Sequence, residues 1–450
     1  MPDPQTTGWL KPAHRAIRCA AVVLGLCVSV ASASFCRADV DVNAGSHSAP
    51  DWQQLDAALT DLDPASQRAR QLVPDLIAAA RHARTPDVLR QRSVLMLGRI
   101  GKPAADAVPV FLELMAEYRA VEAASEQAGA PPSTATSLPS PETAATRRVW
   151  LLKSLGTFGD VANEAVPVLR RDLFDRSGSV DDRVLIADVL GQIGTVAAVT
   201  ALSDALRDWP PGTPPSEQLV KRTIVDCIGL SGPAGIVGLP SLLRAIEDDD
   251  SSIRRKVCEA ITLFGPAGEL ATDALVERLI LDAAPAVRDA AADTLAAIGP
   301  TSVPVLIRLL KNGEPEIQWR AARSLGRIGP AATAALAALE ETVRASRSKM
   351  ASGEVDDSLV EQAEIESLVR IEALEAHWRV SSETTGIFRE VVGELGTSQR
   401  SVRIRACRLL IEPAVLPADL QAKIEELASS GGPAARAASY VLRNRAEFSP

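Results

Sequence analysis

Large rings are scarce in this chain: aromatic residues make up only 3% of its 450 positions. Aromatic side chains bury about 150–250 Å² each and dominate thick cores, so their scarcity excludes one large globular core and favours thin aliphatic seams. Histidine is scarcer still. His14, His47, His82 and His377 are the whole supply, and none is followed by glutamate. Gly-x-Ser-x-Gly, Gly-x-Gly-x-x-Gly, a phosphate-binding loop and Cys-x-x-Cys are all missing, and with them the commonest hydrolase, nucleotide and redox signatures. Gly98-Arg99-Ile100-Gly101-Lys102 is followed by Pro103 where a phosphate loop needs Ser or Thr. No Asn-x-Ser/Thr site occurs. The sequence gives no reason to expect a cofactor, a metal or a catalytic residue.

What the chain has in quantity is one unit written many times. Ala284–Leu310 (APAVRDAAADTLAAIGPTSVPVLIRLL) and Glu314–Glu340 (EPEIQWRAARSLGRIGPAATAALAALE) align when Gly299 is placed over Gly329. Ile328, Leu325, Ala321 and Ile317 precede Gly329 at helical spacing, as Ile298, Leu295, Ala291 and Val287 precede Gly299. Gly-Pro then ends the first helix, because glycine accepts a left-handed cap and proline cannot prolong a helix. A second helix begins near Ser302-Val303-Pro304, where proline is tolerated in the first turn. The anchor glycine recurs at Gly101, Gly159, Gly194, Gly232, Gly265, Gly299 and Gly329, with steps of 33, 34 and 30 residues from Gly232 onward. Leu97, Leu155, Leu190, Ile228 and Ile261 hold the position four before their glycines. Two short helices cannot bury their own apolar faces, so such units must stack on one another.

Val287-Arg288, Ala291-Ala292, Leu295, Ile298-Gly299 and Val303-Pro304-Val305-Leu306 resemble the HEAT repeat, particularly the short variety of phycobilisome-lyase-like proteins. The tetratricopeptide and ankyrin signatures are missing. The resemblance covers most of residues 68–345 and, more loosely, 359–443. It implies an all-α, armadillo-like α-α superhelix, with the second helices lining its concave side. At ~9–10 Å per helix layer, eight or nine pairs make a curved rod roughly 80 Å long.

In chain order, residues 1–38 have the form of a signal peptide: Lys11, Arg15 and Arg18 precede the apolar run Ala20–Val30, followed by Ala31-Ser32-Ala33 or Cys36-Arg37-Ala38 as cleavage sites. The run is short against the ~20 residues of a spanning helix, which makes an uncleaved membrane tether the alternative. Cleavage moves the formal net charge from −9 to −12, since four basic residues and one acid leave. That charge opposes nucleic-acid phosphates. Residues 39–86 are a lead-in with capping helices near Trp52–Leu62 and Arg68–Arg84. Residues 87–345 are the repeats, interrupted by a Pro/Ser/Thr-rich segment, 125–145, expected to be disordered, and a Pro-rich loop, 208–216. A polar insertion, 346–357, leads to degenerate repeats and a C-terminal cap, 358–450. Their long first helix, Ser358–Arg379, is expected to be amphipathic, its glutamates alternating with Leu359, Ile365, Leu368, Ile371 and Leu374. The mature chain keeps Cys227, Cys258 and Cys407, an odd number at different helix heights, read as buried thiols with one inter-repeat disulfide as the alternative.

Eleven residues before the anchors stand Arg90, Arg148, Arg183, Lys221, Arg254, Arg288 and Gln318. A basic stripe for an anionic ligand is one reading. The HEAT resemblance implies the other, a structural ladder between stacked repeats, with Asp248 and Asp282 as its acids six residues before Arg254 and Arg288. The first two repeats lack an acid at that place, which leaves Arg90 and Arg148 free. Asp248-Asp249-Asp250 reads as a helix cap rather than a calcium site, and His82 and His377 as surface residues. Second helices carry mixed charge, as at Glu113, Glu117, Arg170, Arg171, Glu277, Arg278, Arg308 and Lys311. The expected function is an exported (periplasmic, envelope-associated or secreted) scaffold that binds a protein partner along its curved surface without catalysis. The competing class is a HEAT-like lyase or hydroxylase with an unrecognised pocket.

Overall fold

Where each first helix stops, the backbone demands glycine. In the computed structural model all seven anchors, Gly101 to Gly329, have φ between 55° and 86°, a region that a Cβ makes costly. Gly194 sits in the left-handed helical well (φ 62°, ψ 14°). Gly101, Gly299 and Gly329 instead combine positive φ with ψ of −137°, −138° and −141°, a pairing open to little besides glycine. The expected left-handed cap is thus one of two solutions. The turn at Gly299 bends the helices on either side of it by 117°.

The structure describes residues 52–82, 85–128, 141–176, 178–209, 214–351, 360–382, 385–397, 399–412 and 416–447. Residues 1–38 and the lead-in 39–51 lie outside them, as do 129–140, 210–213 and 352–359. Three N-terminal helices, α1 (Trp52–Thr60), α2 (Gln67–Gln71) and α3 (Val73–Arg81), precede seven helix pairs. The first helices are α4 (Asp87–Ile100), α6 (Pro141–Phe158), α8 (Val180–Ile193), α10 (Gln218–Leu230), α12 (Ser251–Thr262), α14 (Pro285–Ile298) and α16 (Pro315–Ile328). Their partners are α5 (Val108–Ala128), α7 (Val166–Phe174), α9 (Val196–Arg207), α11 (Leu239–Ala245), α13 (Thr272–Leu281), α15 (Val303–Asn312) and α17 (Leu336–Ala351). The chain closes with α18 (Val360–Ser381), α19 (Thr385–Glu394), α20 (Arg400–Ile411), α21 (Ala418–Ser429) and α22 (Gly432–Glu447). No strand occurs among the described residues.

Two expected loops are shorter than their composition indicates. Helix α5 runs on through Ser125-Glu126-Gln127-Ala128, and α6 starts at Pro141. No glycine or proline interrupts 125–128, and Pro141 fits a first helical turn. Helix α17 likewise continues to Ala351, into the segment 346–357. Around Pro74 the opposite happens: the expected helix Arg68–Arg84 breaks at Leu72 into α2 and α3, since Pro74 has no N–H to give to the carbonyl four residues back and its ring crowds that carbonyl.

Neighbouring first helices approach closely because small residues meet between them. A Cβ added at Gly98 would come within 2.7 Å of the Ser154 Oγ, at Gly191 within 2.7 Å of Cys227, and at Gly229 within 2.8 Å of Ala260. In each case the glycine lies three before one anchor and its neighbour five before the next. A hydroxyl at the second position clips the seam. Thr294 Oγ1 donates to the Cys258 carbonyl at 2.9 Å, and Ser324 Oγ to the Ala292 carbonyl at 2.8 Å. Each such bond adds about 0.5–1.5 kcal/mol net.

Helix α18 extends the same row: a Cβ on Gly326 would lie 2.9 Å from the Ala376 Cα. No glycine follows it. Ser382 takes the positive φ (60°) instead. Buried apolar residues form two clusters, one from Leu55 to Val380 and one from Ile371 to Val441. Helix α18 feeds both, giving Ala373, Ala376 and Val380 to the first and Ile371 and Leu374 to the second.

Candidate functional site

The residues singled out by spacing lie along the edge of the solenoid where each second helix turns into the next repeat. Arg254 donates from Nε and Nη2 to both carboxylate oxygens of Asp282 at 2.7 Å, and from Nη1 to the Asp248 carbonyl at 2.7 Å. Arg288 repeats the pattern, reaching the Asp282 carbonyl at 2.9 Å and the Glu316 carboxylate at 2.9 Å. Arg183 joins Glu217 at 2.6 Å, and Lys221 pairs with Asp248. So Arg183, Arg254 and Arg288 each grip a main-chain carbonyl just before their own helix and a carboxylate from the repeat that follows, and Lys221 takes the carboxylate. The acid six residues upstream serves the preceding repeat's cation, not its own.

This arrangement corrects the expectation for the first two repeats. Arg148 is not free: it pairs with Asp182 and lies 3.4 Å from Glu122. Arg90 donates to the His82 carbonyl at 2.8 Å, while Asp87 beside it takes Arg147 at 2.6 Å. For Arg148 the acid arrives from the next repeat, so its absence upstream frees nothing, while Arg90 is held locally by the His82 carbonyl and by Asp87 at 4.0 Å. Gln318, the uncharged seventh position, is bypassed: Arg320 reaches back to Asp289 at 2.8 Å.

The central rungs are buried. Asp282 and Arg183 are 4% and 2% exposed. Burial alone pushes the Asp282 carboxyl up, but the hydrogen bond from Arg254, the Ala284 N–H and the charges of Arg254 and Arg278 outweigh it, holding it below the usual range. Hydrogen bonding to Asp282 raises the Arg254 guanidinium in turn. Within Asp248-Asp249-Asp250, Asp250 caps α12 by accepting the Ser252 N–H at 2.8 Å and pairs with Arg222 at 3.0 Å. Asp248 accepts the Asp250 N–H at 2.9 Å.

Cys227, Cys258 and Cys407 are free and buried. Burial pushes all three thiols up, Cys258 to about 12. His82 lies against Trp52 with ring centroids 5.7 Å apart and ring planes tilted by 51°. His377 is buried at 8% exposure, not on the surface, with Nε2 3.3 Å from Glu340 and Nδ1 3.3 Å from the Ser381 hydroxyl. Its helix, α18, is enclosed by neighbours rather than half-solvated.

Two features lay beyond the spacing argument. Second helices carry rungs of their own, Arg81–Glu113, Arg170–Asp204 and Lys311–Glu341, each at 3.0 Å. Of the charges that read as mixed, Glu113, Arg170 and Lys311 are therefore paired between repeats, while Glu277 and Arg278 pair with each other. A cation followed by an acid 30–34 positions later is the signal that finds them. The second feature is the set of buried acids on and around α18: Glu366, Glu372, Glu375 and Glu394. Among the described residues no group of three or more His, Cys, Asp or Glu side chains is arranged to hold a metal ion.

Stacked helix pairs with a glycine turn inside each pair and charged rungs between pairs define an α-solenoid. Residues 215–295 and 272–355 match the family model for HEAT repeats, and this part of the chain is built of HEAT repeats. The match is to HEAT repeats as a class and does not single out the phycobilisome-lyase-like variety. No curated protein sequence matches the chain. Among solved structures it is similar to importin beta, at 12% identity over 89% of this chain and 60% of that one, with a TM-score of 0.42. Kap121p aligns at 10% identity over 80% of this chain and 45% of that one, with a TM-score of 0.38. Human deoxyhypusine hydroxylase aligns at 18% identity over 71% of this chain and all of that one, with a TM-score of 0.24. The chain spans 55% and 60% of the length of the two importin beta structures.

Proposed function

We propose that this protein is an exported, non-catalytic scaffold that holds a protein partner along the outer surface of its repeats. The observation that carries the reading is an apolar strip on the glycine edge of repeats four and five. Leu230 and Leu263 occupy the same position in neighbouring repeats and are 65% and 47% exposed, and Val237 and Leu270 share another, at 43% and 77%. Grouped exposed apolar residues of this kind mark protein-binding surfaces. The opposite edge is given over to the rungs, which on this reading fix the register of stacking and leave no free basic row for an anionic ligand. Export rests on the N-terminal segment, with a membrane tether as its alternative.

Cross-linked capture from an envelope extract with residues 39–450 as bait tests the proposal. A reproducible partner, cross-linked beside Leu230 and Leu270 and lost with Leu230→Asp combined with Leu270→Asp, is expected. Capture that is indifferent to both substitutions refutes the apolar strip as the binding surface. A mature N-terminus near Ser34 or Asp39 is expected from export, and an intact Met1 in a membrane fraction overturns it.

A further inference from the structure

Residues 371–377 of α18 are buried at every position, Glu372, Glu375 and His377 included. Helices enclosed on all sides are normally apolar throughout. Here two carboxylates from successive turns converge on one cation. Arg405 Nη2, reaching over from α20, lies 3.0 Å from Glu372 and 2.8 Å from Glu375. Glu375 has a second partner in Arg379 at 2.9 Å, whose other arm is held by Glu412 at 2.9 Å. Among the described residues Glu372 has only its share of Arg405. Arg323 on α16 adds charge from a distance, its own side chain being committed to Asp293 at 3.0 Å. Of the remaining charged groups around α18, Arg370 pairs with Glu394 of α19, and Glu340 of α17 faces His377. The cluster stands where the two apolar cores meet, and it is the polar tie between α18 and α20.

We propose that this node is a proton-operated joint between the repeat body and the C-terminal helices. With Glu372 protonated, Arg405 serves Glu375 alone and α20 stays docked on α18. With both carboxylates ionised, one shared guanidinium faces two buried charges, and the seam opens to let water reach them. Burial pushes Glu372 up to about 7, the neighbouring Glu375 adds to that rise, and Arg405 and Arg323 oppose it. The working range is therefore near neutrality. A carboxyl raised in the docked state binds its proton more tightly there than when the seam is open, so docking weakens as pH rises from about 4.5 to about 7.

Hydrogen exchange on the whole mature chain between pH 5.5 and 7.5, corrected for intrinsic rates, tests this. Opening of α20 is expected to rise about tenfold or more across that window, while α12 and α14 stay level. Glu372→Gln should flatten the rise at α20. Glu375→Gln, which leaves Arg405 to Glu372, should reduce it. Glu340→Gln separates out His377 and should leave the rise intact. A level wild-type profile at α20 overturns the proposal. So does a rise that survives Glu372→Gln or disappears with Glu340→Gln, which would place the proton on His377. Should Glu372→Gln fail to fold, the wild-type profile and Glu375→Gln decide the matter.

Discussion

Repeats four to seven and the helices from α18 onward stack in the same row but place their charges in opposite ways. In the first region charge sits at the edge, where Arg254 and Arg288 each find a carboxylate one repeat on and a carbonyl at home. Between first helices the closest contacts are left to small residues and hydroxyls, flanked by the pairs Lys256–Asp226, Arg320–Asp289 and Arg323–Asp293. In the second region charge lies inside, on a helix covered from every side, and the terminal glycine gives way to Ser382. Regular stacking therefore does not depend on one formula. It needs a close seam and a way to end the first helix, and each can be met by a locally less favourable residue.

The largest effect is expected from breaking an edge rung. Arg254→Ala strands Asp282 in a buried site without its cation, and about 3–5 kcal/mol should be lost, read as earlier urea unfolding of the central repeats. Arg170→Ala, at a half-exposed rung with Asp204, should cost only about 0.2–1 kcal/mol in the same assay. Next comes the exchange of turn residues between the two regions. Gly299 has nothing within 4 Å of an added Cβ, so Gly299→Ala tests backbone strain alone and should cost about 1–3 kcal/mol. Ser382→Gly should move the other way and raise the melting temperature of the C-terminal region, by up to about 1 kcal/mol of stability. Equal effects of opposite variants, or a neutral Gly299→Ala, would remove the contrast.

Acid sharpens the comparison further. Asp282 is held below its ordinary value when folded, so its contribution is present above the unfolded value and is lost as pH falls through the folded one. Stability of the central repeats should drop below about pH 4, less so in Asp282→Asn. Glu372 runs the other way, losing stability as pH rises towards neutrality. The smallest expected effect is chemical: the buried, raised thiols Cys227, Cys258 and Cys407 should resist a thiol reagent in the native state and react on unfolding.

The repeat body was legible in the sequence because its signals are local. A glycine, a leucine four before it and a basic residue eleven before it recur in phase, and each stands for a turn, a seam contact and a rung. The pairing of the rungs was not legible in full. Spacing placed Asp248 and Asp282 beside Arg254 and Arg288 without showing that each acid serves the cation of the preceding repeat. That is why Arg148 looked free when Asp182 was its partner. Helix α18 defeated the reading for a different reason. Its alternating glutamates and aliphatics have the outline of a solvated amphipathic helix, and only packing by α16, α17, α19 and α20 puts Glu372, Glu375 and His377 inside. The end of that helix, at Ser381, falls only two residues past the expected Arg379, although a serine at positive φ leaves no mark in composition.

The rungs have a consequence for how such a chain can change over generations. Each unit carries a plug, its cation, and a socket for the plug of the unit before it. Removing one whole unit, such as residues 266–299, therefore brings the plug on Arg254 to the socket on Glu316, a carboxylate already used to receiving an arginine. Duplicating a unit leaves every plug matched as well. A protein built this way can be lengthened or shortened by copying errors in its own gene with every edge rung still matched, and the two texts around Gly299 and Gly329, alike at their turn and core positions, have the form such an event leaves behind.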